Sequence, residues 1–215
     1  MIPPTESRWG FPPPSQWPTD DDVVAIGADL APDTLLYAYA HGMFPMYLDK
    51  KNRTLGWWSP VNRGVIPLDA MRVTRSLEKS ARKFYCTVDT AFEQVMRACA
   101  SSHKDGNWIN EEFIASYSEL HAMGHAHSVE VWNADNELVG GVYGVRINKF
   151  FAGESMFHRE RDASKVALRY AVDLMRLDGM RLFDTQWNTD HLASLGCTTI
   201  PREEYLALLA TAITT

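Results

Sequence analysis

Ser128-Val129-Glu130-Val131-Trp132 alternates polar and apolar side chains, and after the polar turn Asn133 to Asn136 the run Leu138-Val139-Gly140-Gly141-Val142-Tyr143-Gly144-Val145-Arg146-Ile147 continues in extended style. Alternation with a period of two puts one set of side chains on each face of a sheet. With Lys149 to Gly153 as a third segment, joined by turns too short for anything but neighbouring pairing, these segments predict an antiparallel meander. The pattern then changes period. Ala163 to about Asp178 carries apolar residues at helical spacing, with Asp162 or Ser164 at its start and Gly179 at its end, and Arg181-Leu182-Phe183-Asp184 returns to strand character. Strands in a meander, then a helix, then a further strand predict an α+β fold, not a doubly wound parallel sheet.

Upstream, a strand at Val65 to Leu68, a helix from Arg75 to Lys83 and a strand at Tyr85 to Val88 are expected. A helix capped by Asp89 or Thr90 then reaches Ala100, and Asn110 caps another that ends at Met123. Helices near His191 to Leu195 and Pro201 to Ala212 close the chain. The first 30 residues are rich in Pro, Asp and Gly and read as irregular, pinned by Trp9, Phe11 and Trp17. Ala31 to Ala40 reads as a helix that stops at Gly42, whereas Gly42 to Tyr47 and Trp57-Trp58-Ser59-Pro60 show no regular period. The expected division is a small N-terminal domain over 1–62 and a larger domain over 63–215.

The chain has 215 residues, 46% of them hydrophobic, enough for a substantial core. No window is as long and apolar as a membrane span, and Met1 to Pro18 lacks the basic and apolar regions of a signal peptide, so a cytoplasmic location without membrane contact is expected. Cys86, Cys99 and Cys197 are far apart and odd in number, which predicts core filler, not a disulfide framework or zinc site. A net charge of -6 argues against indiscriminate coating of nucleic acid. Against that background, Arg75, Lys79, Arg82 and Lys83 fall at helical spacings that form one cationic stripe, and they are the expected contact for a phosphate backbone. His121, His125 and His127 have a partly ligand-like spacing, but Gly124 interrupts the helix face and no acidic residue completes the set, so no metal is expected.

Gly153-Glu154-Ser155-Met156-Phe157 is expected to lie at the end of a strand and ahead of a helix, where a glycine lets a ligand approach the backbone. Asp184 closes the next strand, with Gln186 two residues on, so two carboxyl groups and an amide converge at one end of the sheet. The convergence marks an acyl-transfer site. A rival reading takes Ser155, Asp184 and His191 as the triad of a serine hydrolase, since they follow the chain order of α/β-hydrolases. Phe157 in place of the last glycine of the nucleophile turn, and antiparallel strands upstream, count against it.

The sequence resembles the bacterial leucyl/phenylalanyl-tRNA-protein transferases over nearly its whole length. The blocks that carry the resemblance, in order, are Gly42 to Pro45, Trp57 to Pro60, Gly124 to Trp132, Leu138 to Gly141, Gly153 to Phe157, Asp162 to Lys165 and His191 to Gly196. The resemblance implies an acetyltransferase-like (GNAT) fold for the larger domain. It further implies a cofactor-free aminoacyltransferase of leucyltransferase type. Such an enzyme moves Leu, Phe or Met from its tRNA to the N-terminal amine of proteins starting with Lys or Arg and so marks them for degradation. By positional match it assigns the amine to Asp184 and Gln186 and the aminoacyl end to Glu154. The donor side chain is assigned to Val142, Phe151, Leu168, Ala171 and Phe183, with Gly153 also counted as substrate-binding, and the terminal adenosine or aminoacyl group to Tyr39, Met46, Trp108 and Tyr117. The basic stripe is assigned to tRNA, and a monomer is expected. Met46 stands where the family usually has Trp, so adenine stacking is expected to weaken or to pass to Tyr47. Ala171 is smaller, and Phe183 larger, than the family's common residues, which changes the shape of the pocket, and Ala28 replaces a frequent glycine.

Overall fold

The computed structural model describes residues 6–49, 53–102 and 108–214; the first residues of the proline-rich start lie outside them. The first sheet has the order β1-β3-β2, built from β1 (Val23–Ile26), β2 (Phe44–Asp49) and β3 (Thr54–Trp58), with α1 (Pro32–Ala40) between β1 and β2. All its pairings are antiparallel. These strands correct the reading of this region as irregular. Leu55, Gly56 and Trp57 are buried in succession, Trp57 against Phe11 (ring centroids 5.1 Å apart), while Trp58 meets Trp187 at 5.9 Å. A strand covered on both faces carries no alternation to detect.

The second sheet has seven strands in the order β10-β4-β9-β8-β7-β6-β5. They are β4 (Asn62–Val65), β5 (Tyr85–Val88), β6 (Ala126–Trp132), β7 (Leu138–Ile147), β8 (Phe150–His158), β9 (Leu182–Gln186) and β10 (Thr198–Pro201). Each neighbouring pair is antiparallel except β8 and β9, which are parallel and joined by the crossover helix α5 (Ala163–Leu177). The fold is thus a mixed α+β arrangement. Three boundaries differ from expectation: β8 continues through Gly153 to His158, β9 continues past Asp184 to Gln186, and the strand expected at Val65 to Leu68 lies earlier as β4, with a 3-10 turn at Leu68–Ala70.

The sheet separates two cores. On one face α5 packs Val166, Leu168, Ala171 and Val172 against Val129, Val139 and Val142, joined by Leu77 of α2 (Arg75–Ala81). On the other, α3 (Phe92–Ser102) and α4 (Glu111–Ala122) bring Val95, Met96, Phe113 and Tyr117 against Tyr143, Val145 and Phe157. The same core takes in α1, the first sheet and α7 (Arg202–Thr214); the short α6 (Asp190–Ser194) precedes β10. Helix starts follow their caps: Asn110 accepts from the Phe113 N–H at 3.1 Å and Thr74 from the Leu77 N–H at 3.2 Å. Close helix-to-sheet approach depends on Gly140, where a Cβ would stand 2.8 Å from the backbone carbon of Ala163.

Ala28 stands in the left-handed region at φ 64, beside Gly27 at φ 91. A Cβ is costly there, so Ala28→Gly is expected to stabilise the fold by about 1 kcal/mol, read as a higher urea midpoint with unchanged slope.

Candidate active site

β8 and β9 pair only through Phe150↔Leu182, Phe151↔Phe183 and Ala152↔Asp184. Beyond that point β8 stays with β7, while Gln186 of β9 pairs with Gly64 of β4, so the sheet opens into a notch. At the mouth of the notch β8 carries a bulge. Tyr143 pairs with Ser155 and Gly144 with Gly153, which leaves Glu154 as the extra residue, re-aimed by the local break in the ladder. Gly144 is needed opposite: a Cβ there would lie 2.1 Å from the Ala152 carbonyl oxygen.

Asp184, fully buried, receives Arg63 in a two-pronged pair, Nε to Oδ1 at 2.8 Å and Nη2 to Oδ2 at 2.6 Å. Oδ1 also accepts from the Gln186 backbone N–H at 2.9 Å, and Oδ2 from the Tyr205 hydroxyl at 3.0 Å. Both oxygens therefore carry two donors each, which uses the acceptor capacity of a carboxylate. Arg63 donates from all three of its nitrogens, Nη2 also reaching the Tyr205 hydroxyl at 3.2 Å. Its Nη1 donates to the Gly42 carbonyl at 3.0 Å, and the guanidinium lies over the rings of Phe44 (4.9 Å) and Tyr205 (4.2 Å). Burial opposes its charge, but Asp184 beside it more than offsets that and holds its pKa above the ordinary value.

Gln186 sits at φ 59, a left-handed conformation unusual for a side chain of its size, and is held there through the Asp184 carboxylate. From it the side-chain Nε2 reaches Glu154 Oε1 at 3.3 Å. Tyr117 donates to Glu154 Oε2 at 3.4 Å, and its hydroxyl meets that of Tyr39 at 2.5 Å. Burial pushes the Glu154 carboxyl up to about 8; the hydrogen bond from Tyr39 works against this and the charge of Asp184 adds to it. Tyr39, Tyr117 and Tyr143 are raised well above their ordinary values, first by burial and then by Glu154. The hydroxyl of Tyr143 is buried with no hydrogen-bond partner among the described residues.

Glu154, Asp184, Gln186, Tyr39 and Tyr117 thus come together on the α4 face. The serine-hydrolase constellation does not. Ser155 hydrogen-bonds toward Cys99 of α3, Asp184 is taken up by Arg63, Tyr205 and Gln186, and His191 lies among Lys165 and His158, where burial lowers its pKa. Of the three histidines of the other motif, His121 and His127 both approach Asp89, at 3.9 Å and 2.7 Å, so an acidic residue does accompany them from outside the motif, while His121 also bonds the Ala126 carbonyl and Nδ1 of His125 lies apart, 3.4 Å from the Arg146 carbonyl; no metal-holding cluster forms among the described residues.

Of the residues assigned to the donor side chain, Val142, Phe151 and Ala171 line a cavity of about 450 Å³ between the sheet and α5, with Val129, Leu174 and Met175. Leu168 and Phe183 do not line it; both are buried in the same core, Phe183 5.7 Å from Phe151 and close enough to Gly153 that a Cβ there would stand 3.0 Å from its ring. Trp108 and Tyr47 pack edge-on against Phe113, at 5.3 and 5.4 Å, and the Met46 carbonyl accepts from the Trp58 indole at 3.1 Å. Arg75, Lys79, Arg82 and Lys83 are exposed along α2 and the turn after it, and none makes an ion pair with another described residue. Sequence reading missed Arg63, Tyr205 and Tyr143. For Arg63 the sequence offered only a single cation in a short strand, with nothing local to point to its distant partner.

Family models described as "Leucyl/phenylalanyl-tRNA protein transferase" and its N-terminal domain match residues 65–210 and 28–61. A leucyl/phenylalanyl-tRNA--protein transferase of Pseudoalteromonas atlantica is 47% identical over 94% of this chain and 88% of its own. One of Herpetosiphon aurantiacus is 49% identical over 86% of this chain and 95% of its own. Among solved structures, FemX superposes with a TM-score of 0.48 at 12% identity, covering 79% of this chain and 66% of that one.

Glu154 also sets a pH dependence of folding. Its pKa is about 8 in the folded chain against an ordinary 4.5, so the fold holds this proton more tightly; the contribution is complete below pH 4.5 and is lost as pH rises through 8. Glu154→Gln cannot ionise. Relative to this variant the wild type is expected to lose Tm steadily between about pH 5 and about pH 9, which thermal unfolding at several pH values checks.

Proposed function

The chain belongs to the leucyl/phenylalanyl-tRNA protein transferase family and is an aminoacyltransferase, and from that premise we propose how its residues divide the work. The reaction moves Leu, Phe or Met from its tRNA to the N-terminal amine of a protein beginning with Lys or Arg, tagging that protein for degradation. It runs in the cytoplasm on a single chain, with 1–62 as a small N-terminal domain and 63–215 as a GNAT-like catalytic domain. The observation that carries this reading is the meeting of Glu154 and Gln186 where β8 and β9 part, with Tyr39 and Tyr117 closing the same corner.

An aminoacyl ester is already activated, and its aminolysis to an amide is downhill, so neither metal nor nucleotide cofactor is required by the chemistry. What is required is placement of the amine against the ester carbonyl and handling of its proton. Gln186 is suited to placing the amine, because its amide nitrogen is engaged with Glu154 and its amide carbonyl is thereby oriented to accept from the incoming nitrogen. The donor side chain enters from the other face, past Gly153 and Phe183, toward the cavity behind Val142, Phe151 and Ala171. Tyr47, Trp108 and Met46 line the approach of the terminal adenosine, and the exposed stripe of Arg75, Lys79, Arg82 and Lys83 holds the tRNA backbone.

Incubation with labelled Leu-tRNA and an Arg-started peptide should give ribonuclease-sensitive label on the peptide; its absence at micromolar enzyme would remove the reading. The small residue Ala171 should set donor size. Ala171→Phe fills the cavity and is expected to lower transfer of Phe relative to Leu by roughly 10-fold, the scale on which apolar pockets discriminate, measured as a ratio of kcat/KM values for the two charged tRNAs.

A further inference from the structure

Two carboxylates face one another across the notch, and their surroundings differ in kind. Asp184 has no exposed surface and accepts from Arg63 Nε, Arg63 Nη2, the Gln186 N–H and the Tyr205 hydroxyl. A fifth donor has no lone pair to approach, and protonation of either oxygen would displace a donor from a buried cation. Glu154 has no such partner. It stands at the bulge, part-buried, and accepts from Tyr39 and, over the longer distances of 3.3 Å and 3.4 Å, from Gln186 and Tyr117.

Resting on the transfer reaction above, we propose that Glu154 takes the proton from the attacking amine, and that Arg63 is a positioning residue which reserves Asp184 for holding Gln186. The balance is simple. The neutral amine nitrogen bonds to the ester carbon, ionised Glu154 accepts a proton from that nitrogen, the bond from carbon to the ribose oxygen breaks, and the proton on Glu154 passes to that oxygen. Acid and base roles then fall on one side chain that begins and ends the cycle ionised.

The groups that face Glu154 are Tyr39 from α1, Tyr117 from α4, Tyr143 from β7, Asp184 and Gln186 from β9, and Arg63 from β4. The tyrosines stay neutral and Arg63 stays charged well beyond the range in which Glu154 titrates, near 8. Glu154 is therefore the group in this corner poised to exchange a proton near neutral pH.

Single-turnover transfer from Leu-tRNA to an Arg-started peptide, followed between about pH 6 and about pH 9, tests the assignment. The acceptor amine itself ionises near 7.7–8.0, which contributes one unit of slope. In the wild type, log rate should rise below about pH 7 with a slope approaching two, because amine and Glu154 must both lose a proton. Glu154→Gln keeps the shape of the neutral acid and stays folded; its slope should fall to one and its rate by about 10²-fold or more. Asp184→Asn removes the charge that raises Glu154, so its rate should fall and the change of slope from two to one should move to lower pH. Arg63→Lys, which keeps the charge but loses the two-pronged grip, should lower kcat more than it raises either KM and also keep the slope. A wild-type slope of one, a slope of two in Glu154→Gln, or a shift of the break to higher pH in Asp184→Asn would each overturn the proposal while leaving the transferase reading intact. Absence of wild-type transfer at every pH would overturn both.

Discussion

Taking a guanidinium and a carboxylate out of water together costs several kcal/mol per ion, and the attraction between them repays this only where every remaining donor and acceptor is also satisfied. Arg63 and Asp184 come close to that condition. All three guanidinium nitrogens donate, Nη1 to the Gly42 carbonyl and Nη2 also to the Tyr205 hydroxyl; the ring of Tyr205 covers one side of the ion pair, and its hydroxyl donates to Asp184. The contact joins β4, β9, the turn after α1 and α7, elements far apart in sequence. The turn has to come close for this to work: Gly42 is at φ 82, and a Cβ on it would stand 2.4 Å from a methyl carbon of Leu206 on α7. Docking of the last helix and alignment of the site are therefore one event. Loss of Arg63 or Asp184 would leave the other as a buried charge without its counter-charge.

That anchoring makes the notch useful. Parallel pairing of β8 with β9 stops at Ala152↔Asp184, so the groups just beyond it have sheet behind them and open space between them. The bulge brings the Glu154 carboxyl toward the α4 face, while Phe183 and Gly153 meet on the α5 face. The proposed roles divide polar chemistry and apolar recognition between the two faces of one sheet, which meet where the ladder is broken. A hydrophobic cavity on its own distinguishes side chains by only about 1–3 kcal/mol per methylene, so acceptance of several donors follows from building recognition on that face.

The regular half of this architecture was legible. Alternation in Ser128 to Trp132 and Leu138 to Ile147, helical spacing after Asp162 and the cap at Asn110 are local signals, and the elements they mark are there. The first sheet was not legible, because Leu55 to Trp57 is buried throughout and a two-sided strand shows no period. The end of β8 was misplaced for a related reason: a glycine beside an acidic residue reads as a stop, whereas the bulge absorbs both and the strand runs on to His158. Glu154, Asp184 and Gln186 could be nominated from their positions near two strands. Arg63 could not, since its partner lies 121 residues away and only the fold brings them together.

The pairing also explains why two acidic side chains in one corner need not share a role. Both are buried enough for their environments to decide their behaviour, and those environments are opposite. Asp184 faces a permanent cation that supplies two of its four donors, the Gln186 N–H and the Tyr205 hydroxyl supplying the others, so its place is that of scaffolding. Glu154 faces tyrosine hydroxyls and an amide, groups that stabilise a carboxylate weakly, and it also feels the negative charge of Asp184. The ion pair therefore acts on Glu154 in two ways. Through Gln186 it sets the position of the group that touches Glu154, and through its two charges it acts on the Glu154 proton in opposite senses, Asp184 holding it and Arg63 loosening it. A carboxyl that gives up its proton near neutral pH, beside an amide held at a fixed angle, follows from an arginine that makes no contact with either side chain's reactive end.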